Sequence, residues 1–172
     1  MKIIISEKQF GLLKKDEKSS DKNNVVLFIA GLDDRYSPSY DTFQEQDSKI
    51  KTGLGNYSEI KSFPWDVSDS SVLKFLENNP NPLIFLFSKG CEKIYLFLSN
   101  PNVNLSKVFL IEPWAVGKSK KTYINAISSG LPSKNIFVGP KEGRGFGIPG
   151  ASSSNSKGHF QSIINVSSLF RK

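Results

Sequence analysis

Short apolar runs alternate with polar breaks along the chain from Val25 onward. The runs are five to eight residues long and end in Gly, Pro or Ser, as strands do. They predict strands at about 25–31, 59–64, 83–88, 107–112 and 135–139. Several of the runs are nearly continuous rather than alternating, which is typical of parallel strands buried on both faces.

Segments with helical spacing lie between these runs. One helix is predicted to begin at Ser68 or Asp69 and to end before Pro80, because proline cannot continue a helix. The same spacing predicts helices over about 92–99, 119–129 and 159–170. Strands that alternate with helices predict an α/β fold, a three-layer sandwich around a mostly parallel sheet of about five to six strands.

Two long segments, 33–55 and 140–158, interrupt this rhythm. Both are poor in apolar residues and are predicted to be loops, which at this length are often functional. Residues 14–24 contain no apolar side chain and are predicted to be a linker. The predicted organisation is therefore an N-terminal segment, 1–13, the linker, and one α/β domain over 25–172.

Cysteine content and hydropathy argue against a disulfide-bonded, zinc-binding or membrane-spanning protein. Cys91 is the only cysteine, so neither an intramolecular disulfide nor a cysteine zinc cluster can form. The longest apolar runs are far shorter than the roughly 20 residues of a membrane-spanning helix. The first residues lack the pattern of a secretory signal. We expect a cytoplasmic protein without a membrane span.

Charge is unevenly distributed along the chain, whose formal net charge is +7. Residues 107–172 hold ten Lys and Arg residues, and their only acidic residues are Glu112 and Glu142. This region could contact a polyanion, and Arg144 with Gly145 could bind an anion in a glycine-rich loop. A solvated lysine-rich face is the alternative interpretation.

Residues that follow the predicted strands are the candidates for chemistry. In an open parallel sheet the carboxyl ends of the strands meet at one edge, where ligands bind. At this edge the chain places Gly31, Leu32, Ser88, Lys89, Glu112 and Trp114.

Three short segments resemble the α/β-hydrolase superfamily. Phe85–Glu92 is similar to its strand, sharp turn and helix around the nucleophile, and Gly158–Phe160 to its late histidine before the final helix. Ala30–Asp33 stands where the family's first core strand leads into the oxyanion loop. The resemblance implies a minimal α/β-hydrolase-like fold and a hydrolase that acts on an acyl group.

The nucleophile motif of that family, Gly-x-Ser-x-Gly, departs from its usual form here. If Phe87 stands at the first glycine, Lys89 occupies the nucleophile position and Cys91 the second glycine. Ser88 is then one residue early. A shift of one residue at a tight turn changes which side chain is projected into the site.

The residues permit a catalytic triad. A serine hydroxyl needs a histidine to accept its proton, and His159 is the only histidine of the chain. Glu112, at the end of an apolar strand, is preferred over Glu142 as the carboxylate that orients the imidazole. We therefore predict Ser88 as nucleophile, His159 as base and Glu112 as orienting group. Cys91 at a helix start is the alternative nucleophile, or a small residue packed in the turn.

Backbone groups around Gly31 and Lys89 are predicted to stabilise an oxyanion, with Leu32 beside them. Trp114 could line the pocket or pack the sheet edge. No cofactor and no metal site are predicted. A nucleotide-binding loop is disfavoured because Glu112 stands where Gly-x-x-x-x-Gly-Lys-Ser requires its first glycine.

The opening nine residues are similar to the starts of short tailed-bacteriophage proteins, which would imply a place in the host cytoplasm or the virion. Three functions follow as expectations. The first is a small serine hydrolase of the esterase or amidase type with a small acyl substrate. The second is a non-catalytic binding or virion-associated module with a protein partner on the same fold. The third is a polyanion-binding protein.

Overall fold

The computed structural model describes residues 25–57, 59–114, 120–139, 150–154 and 158–171. The predicted N-terminal segment and linker therefore lie outside the described residues. The strands and helices, in chain order, are β1 (Val25–Ile29), α1 (Phe43–Leu54), β2 (Glu59–Phe63), α2 (Asp69–Asn78), β3 (Leu83–Phe87), α3 (Ile94–Leu98), β4 (Val108–Ile111), α4 (Lys120–Gly130), β5 (Ile136–Val138), β6 (Ser152–Ser153) and α5 (Gln161–Ser167).

One sheet organises the described residues. Its strand order is β2-β1-β3-β4-β5-β6, and every neighbouring pair is parallel. Strands β1, β3 and β4 occupy the middle and consist almost entirely of buried apolar residues. The predicted α/β fold with a parallel sheet is confirmed, and so is the link between continuous apolar runs and strands buried on both faces.

Helices cover both faces of the sheet, because alternate residues of each strand point in opposite directions. Leu27 and Ile29 of β1 pack with residues of α2, α3 and α4. Val26 and Phe28 of the same strand pack with residues of α1 and α5. The two hydrophobic clusters form the two interfaces of a three-layer sandwich.

Helix α1 lies inside the segment that was predicted to be a loop, so that prediction was wrong. Its apolar residues are few and its buried stripe is narrow, with Ile50 and Leu54 on it. A capping box forms its start: the Thr42 hydroxyl accepts from the Glu45 N–H, and the Glu45 carboxylate accepts from the Thr42 N–H. The helix ends before Gly55, whose φ of +72° suits glycine.

Two further elements differ from the predictions. The helix expected over about 92–99 is a 3-10 turn, Ser88–Lys93, followed by the short helix α3. Strand β6 lies in the other predicted loop and pairs with β5 through two serines, which carry no apolar pattern. Among the described residues, no helix is long and apolar enough to cross a membrane.

The carboxyl edge of the sheet brings distant loops into contact. The backbone N–H of Trp114 donates to the Ser88 carbonyl at 3.2 Å, and this bond joins the loops after β4 and β3. Gly90 packs so tightly on the end of β1 that a Cβ atom there would lie 2.3 Å from the Ala30 carbonyl oxygen. The residues that follow β1, β3 and β4 therefore share one compact rim.

Candidate active site

Ser88 is the first residue after β3 and opens the 3-10 turn. Its φ is +49°, in the left-handed region that costs a non-glycine residue about 1 kcal/mol. Of the three non-glycine residues with positive φ in the described ranges, two are Ser88 and Glu112. Backbone strain of this kind concentrates at functional sites, where surrounding contacts hold it in place.

His159 lies beside Ser88, just before α5. Its Nε2 atom is 3.0 Å from the Ser88 hydroxyl oxygen, within hydrogen-bond reach. The ring packs on Phe87, with centroids 4.7 Å apart, and on its neighbour Phe160. The His159 carbonyl accepts from the Ser162 hydroxyl at 2.5 Å. The side chain is 26% exposed, so the serine–histidine pair can be reached from solvent although Ser88 itself is buried.

Glu112 follows β4 and completes a chain of hydrogen bonds. Its Oε2 atom lies 2.5 Å from Nδ1 of His159, and its side chain is buried. The Glu112 N–H donates to the Phe137 carbonyl at 2.7 Å, which fixes the residue against β5. Glu112, His159 and Ser88 therefore form a connected acid–imidazole–hydroxyl series, the arrangement that activates a serine.

Ser154 holds the second oxygen of the same carboxylate. Its hydroxyl donates to Oε1 of Glu112 at 2.9 Å, and the residue is buried. Ser154 was not among the predicted site residues, because it follows strand β6, which the apolar pattern does not indicate. With Ser154, the hydrogen-bonded series contains four side chains.

Gly139 has no side chain, and the Glu112 carboxylate occupies the space where a side chain would stand. A Cβ atom on Gly139 would lie 2.9 Å from both Cδ and Oε1 of Glu112, closer than real Cβ contacts. The glycine at the end of β5 is therefore part of the cradle of Glu112, although nothing in the sequence marks it as more than a strand terminus.

The predicted oxyanion segment lies directly against Ser88. A Cβ atom on Gly31 would be 2.8 Å from the Ser88 Cβ. The Gly31 N–H already donates to Oε1 of Gln46 at 2.9 Å. Among the described residues, the N–H groups of Leu32 and Lys89 have no acceptor. Of the three predicted backbone groups, the Gly31 N–H is therefore the one that already has a partner.

The same loop is anchored on its far side by an ion-pair cluster. The exposed guanidinium of Arg35 bonds the buried carboxylate of Asp33 and the carboxylate of Asp66 in the loop after β2. These bonds raise the pKa of Arg35 above its usual range. The segment 31–35 is thus attached at both ends, to Gln46 and to Asp66.

The side chains of Lys89 and Trp114 lie together at the rim. The Lys89 ammonium forms an ion pair with Glu92 and lies 5.9 Å from the centre of the Trp114 ring. Trp114 is partly buried and packs against the cluster that contains α2 and α3. The indole therefore packs the sheet edge, while the backbone N–H of Trp114 donates to the Ser88 carbonyl.

Cys91, the alternative nucleophile, lies in the hydrophobic core. It is 0% exposed, and its thiol contacts the carbonyl oxygens of Leu86, at 3.0 Å, and Ile111. This placement favours the packing role over the nucleophilic one. Glu142, Arg144 and Gly145 lie outside the described residues, as does part of the basic region 107–172.

Two recesses lie at the ends of the sheet, and neither is lined by Ser88, His159 or Glu112. A cavity of about 530 Å³ lies at the opposite edge of the sheet, where Pro82 precedes β3 and Val103 precedes β4, and no triad residue lines it. A shallower recess of about 360 Å³ lies at the carboxyl edge, between the loops after β1 and β2 and the start of α1. The second recess is the one that borders the oxyanion segment, through Asp33.

Comparison of the chain with protein-family models, with curated proteins and with solved structures finds no match. In the described part of the chain, no three His, Cys, Asp or Glu side chains converge as metal ligands would. The groups that do converge are the Ser88 hydroxyl, the His159 imidazole and the Glu112 carboxylate.

Proposed function

We propose that the protein is a small serine hydrolase of the esterase or amidase type. The observation that carries the proposal is the pair of hydrogen bonds that links Glu112 to His159 and His159 to Ser88. Three separate loops supply these residues, and only the fold brings them together. A serine hydroxyl is a weak nucleophile until such a partner accepts its proton.

Each residue has a defined part in the proposed reaction. The Ser88 oxygen attacks the carbonyl carbon of the substrate while its proton passes to Nε2 of His159. Collapse of the tetrahedral intermediate breaks the bond to the leaving group, which takes that proton. Water then attacks the acyl-enzyme, with His159 accepting its proton and returning it to the Ser88 oxygen. Glu112 keeps the Nδ1 proton in place and stabilises the imidazolium.

The intermediate carries a negative oxygen that needs donors. The N–H groups of Leu32 and Lys89 are proposed for this role. Lys89 follows Ser88 in the chain, Leu32 follows Gly31, which packs on Ser88, and neither N–H has an acceptor among the described residues. Donors already in place before the reaction stabilise the transition state without reorganisation, and each is worth about 10²–10³ in kcat.

The position of Ser88 in the turn supports it over Lys89 as the nucleophile. Ser88 itself has the strained φ of +49°, and its hydroxyl is the group within reach of His159. The Lys89 side chain is paired with Glu92 instead. The α/β-hydrolase resemblance of residues 85–92 and 158–160 supports the same reaction class, with the nucleophile shifted by one residue from the family's usual motif.

Turnover of p-nitrophenyl esters, from acetyl to octanoyl, and of the matching anilides tests the proposal. The wild type is expected to hydrolyse the short acyl esters. Ser88→Ala and His159→Ala should each lower kcat by at least about 10³-fold. Ser99→Ala, at an exposed serine bonded to a helix carbonyl, is the matched control and should retain activity. Absence of turnover would favour the non-catalytic binding module.

A further inference from the structure

Gln46 is a fully buried amide whose hydrogen bonds all reach across to backbone groups. The residue lies on α1 and is 0% exposed. Its Oε1 accepts from the Gly31 N–H at 2.9 Å. Its Nε2 donates to the carbonyl oxygens of Leu32, at 3.0 Å, and Asp41, at 3.2 Å. A buried amide held this way stabilises one arrangement of the loop after β1.

Two of these bonds enclose a single peptide unit. The Gly31 N–H lies on one side of the Gly31–Leu32 peptide group and the Leu32 carbonyl on the other, and Gln46 holds both. The peptide group between them is planar, so fixing its two flanks restricts the direction of its own N–H, that of Leu32. That N–H has no acceptor among the described residues.

This peptide unit is in contact with the nucleophile. The space where a Gly31 side chain would stand is occupied by Ser88 and Phe87, whose atoms would be 2.8 Å and 3.0 Å from it. A loop amide next to a residue that packs on the nucleophilic serine is useful only if it keeps its direction, because a mobile donor must be reoriented during the reaction.

We propose that Gln46 is a positioning residue of the oxyanion site: its side-chain amide holds the Gly31–Leu32 peptide so that the Leu32 N–H faces the substrate oxygen. The inference rests on the proposed hydrolase function. Helix α1 would then contribute to catalysis through Gln46. If Gln46 only stabilised the packing of α1 against the loop, its removal would leave kcat unchanged.

The test compares Gln46→Met, which keeps the length but loses every side-chain hydrogen bond, with Thr52→Met at an exposed residue of the same helix. Steady-state hydrolysis of a p-nitrophenyl ester gives kcat and KM, and a trifluoromethyl ketone serves as an analogue of the tetrahedral intermediate. For Gln46→Met we expect a fall in kcat of about 10- to 100-fold with KM within about threefold. Affinity for the ketone should fall by the same factor as kcat/KM.

A second variant keeps the test decisive if Gln46→Met does not fold. Gln46→Asn keeps a polar amide, but on a side chain one methylene shorter that cannot span the Gly31 N–H and the Leu32 carbonyl, so the same loss of kcat and of ketone affinity is expected. A folded Gln46 variant with wild-type kcat and ketone affinity overturns this inference alone, even if its thermal midpoint is lowered. A wild type that neither turns over esters nor binds the ketone overturns the proposed function and this inference together.

Discussion

The Nδ1 atom of His159 lies 2.5 Å from Oε2 of Glu112, although 47 positions separate the two residues in the chain. The second oxygen of that carboxylate accepts from Ser154, so both oxygens are committed. A carboxylate held at both oxygens presents a fixed acceptor to the imidazole. This arrangement favours the tautomer with its proton on Nδ1, which leaves Nε2 to accept the proton of Ser88.

Adding one methyl group behind this carboxylate should impair catalysis. In Gly139→Ala the new Cβ would lie 2.9 Å from Cδ and Oε1 of Glu112, so the carboxylate or the end of β5 must shift and the contact with His159 is disturbed. We expect kcat/KM for a short ester to fall by about 10²-fold or more. Gly158→Ala is the matched control, because a Cβ there meets nothing within 4 Å even though the residue adjoins His159. Equal activities of the two variants would contradict the cradle role of Gly139.

Removing the hydroxyl of Ser154 should have a smaller effect in the same direction. Hydrogen bonds to charged groups contribute about 1.5–3 kcal/mol, so Ser154→Ala should lower kcat/KM by about 10- to 100-fold. Ser152→Ala, at a nearby strand serine whose hydroxyl lies 3.5 Å from the Lys134 carbonyl, should behave as the wild type. Proton NMR of the His159 Nδ1–H provides a second measurement. Its resonance should move in Ser154→Ala, and an unmoved resonance with unchanged kinetics would remove Ser154 from the site.

The capping box of α1 makes a pH-dependent contribution to stability. The Thr42 backbone N–H, followed by its hydroxyl, lowers the pKa of Glu45. A depressed folded-state pKa stabilises the protein above the unfolded-state value of about 4.3, and the contribution disappears as pH falls through the folded-state pKa. Urea unfolding of wild type and Glu45→Gln should therefore differ at pH 6, and the difference should shrink as the pH falls below about 4.3.

The control for this measurement is Glu77→Gln on the exposed face of α2, a helix that is capped by Ser68. It should not reproduce the convergence. A constant difference between wild type and Glu45→Gln across the same pH range would show that the charged carboxylate is not what stabilises the start of α1.

The sheet could be predicted from the sequence because its strands are marked by hydrophobicity. The central strands β1, β3 and β4 are continuous apolar runs. Short runs of this kind are typical of parallel strands that are buried on both faces of a sheet. Helix α1 was not predicted, because few of its residues are apolar and the helical pattern is therefore weak. Its capping box, Thr42-x-x-Glu45, was the available signal.

The residues of the proposed triad could be predicted from the sequence. Ser88 and Glu112 each follow a continuous apolar strand, and His159 precedes a helix and is the only histidine of the chain. Ser154, Gly139 and Gln46 could not be found in this way. Ser154 depends on the pairing of β6 with β5, Gly139 on the space around one carboxylate, and Gln46 on a buried amide within a polar segment. These relationships are tertiary, and apolar periodicity carries no information about them.

Reaction with a fluorophosphonate reports whether the Ser88 hydroxyl is an activated nucleophile. In this reaction the Ser88 oxygen bonds to phosphorus, fluoride leaves, and the hydroxyl proton passes to His159. Mass spectrometry of the intact protein should show one adduct on the wild type and on Cys91→Ala, mapped to the peptide that contains Ser88. It should show none on Ser88→Ala or His159→Ala. A folded wild type that remains unlabelled, or an adduct that persists in Ser88→Ala, would contradict the account.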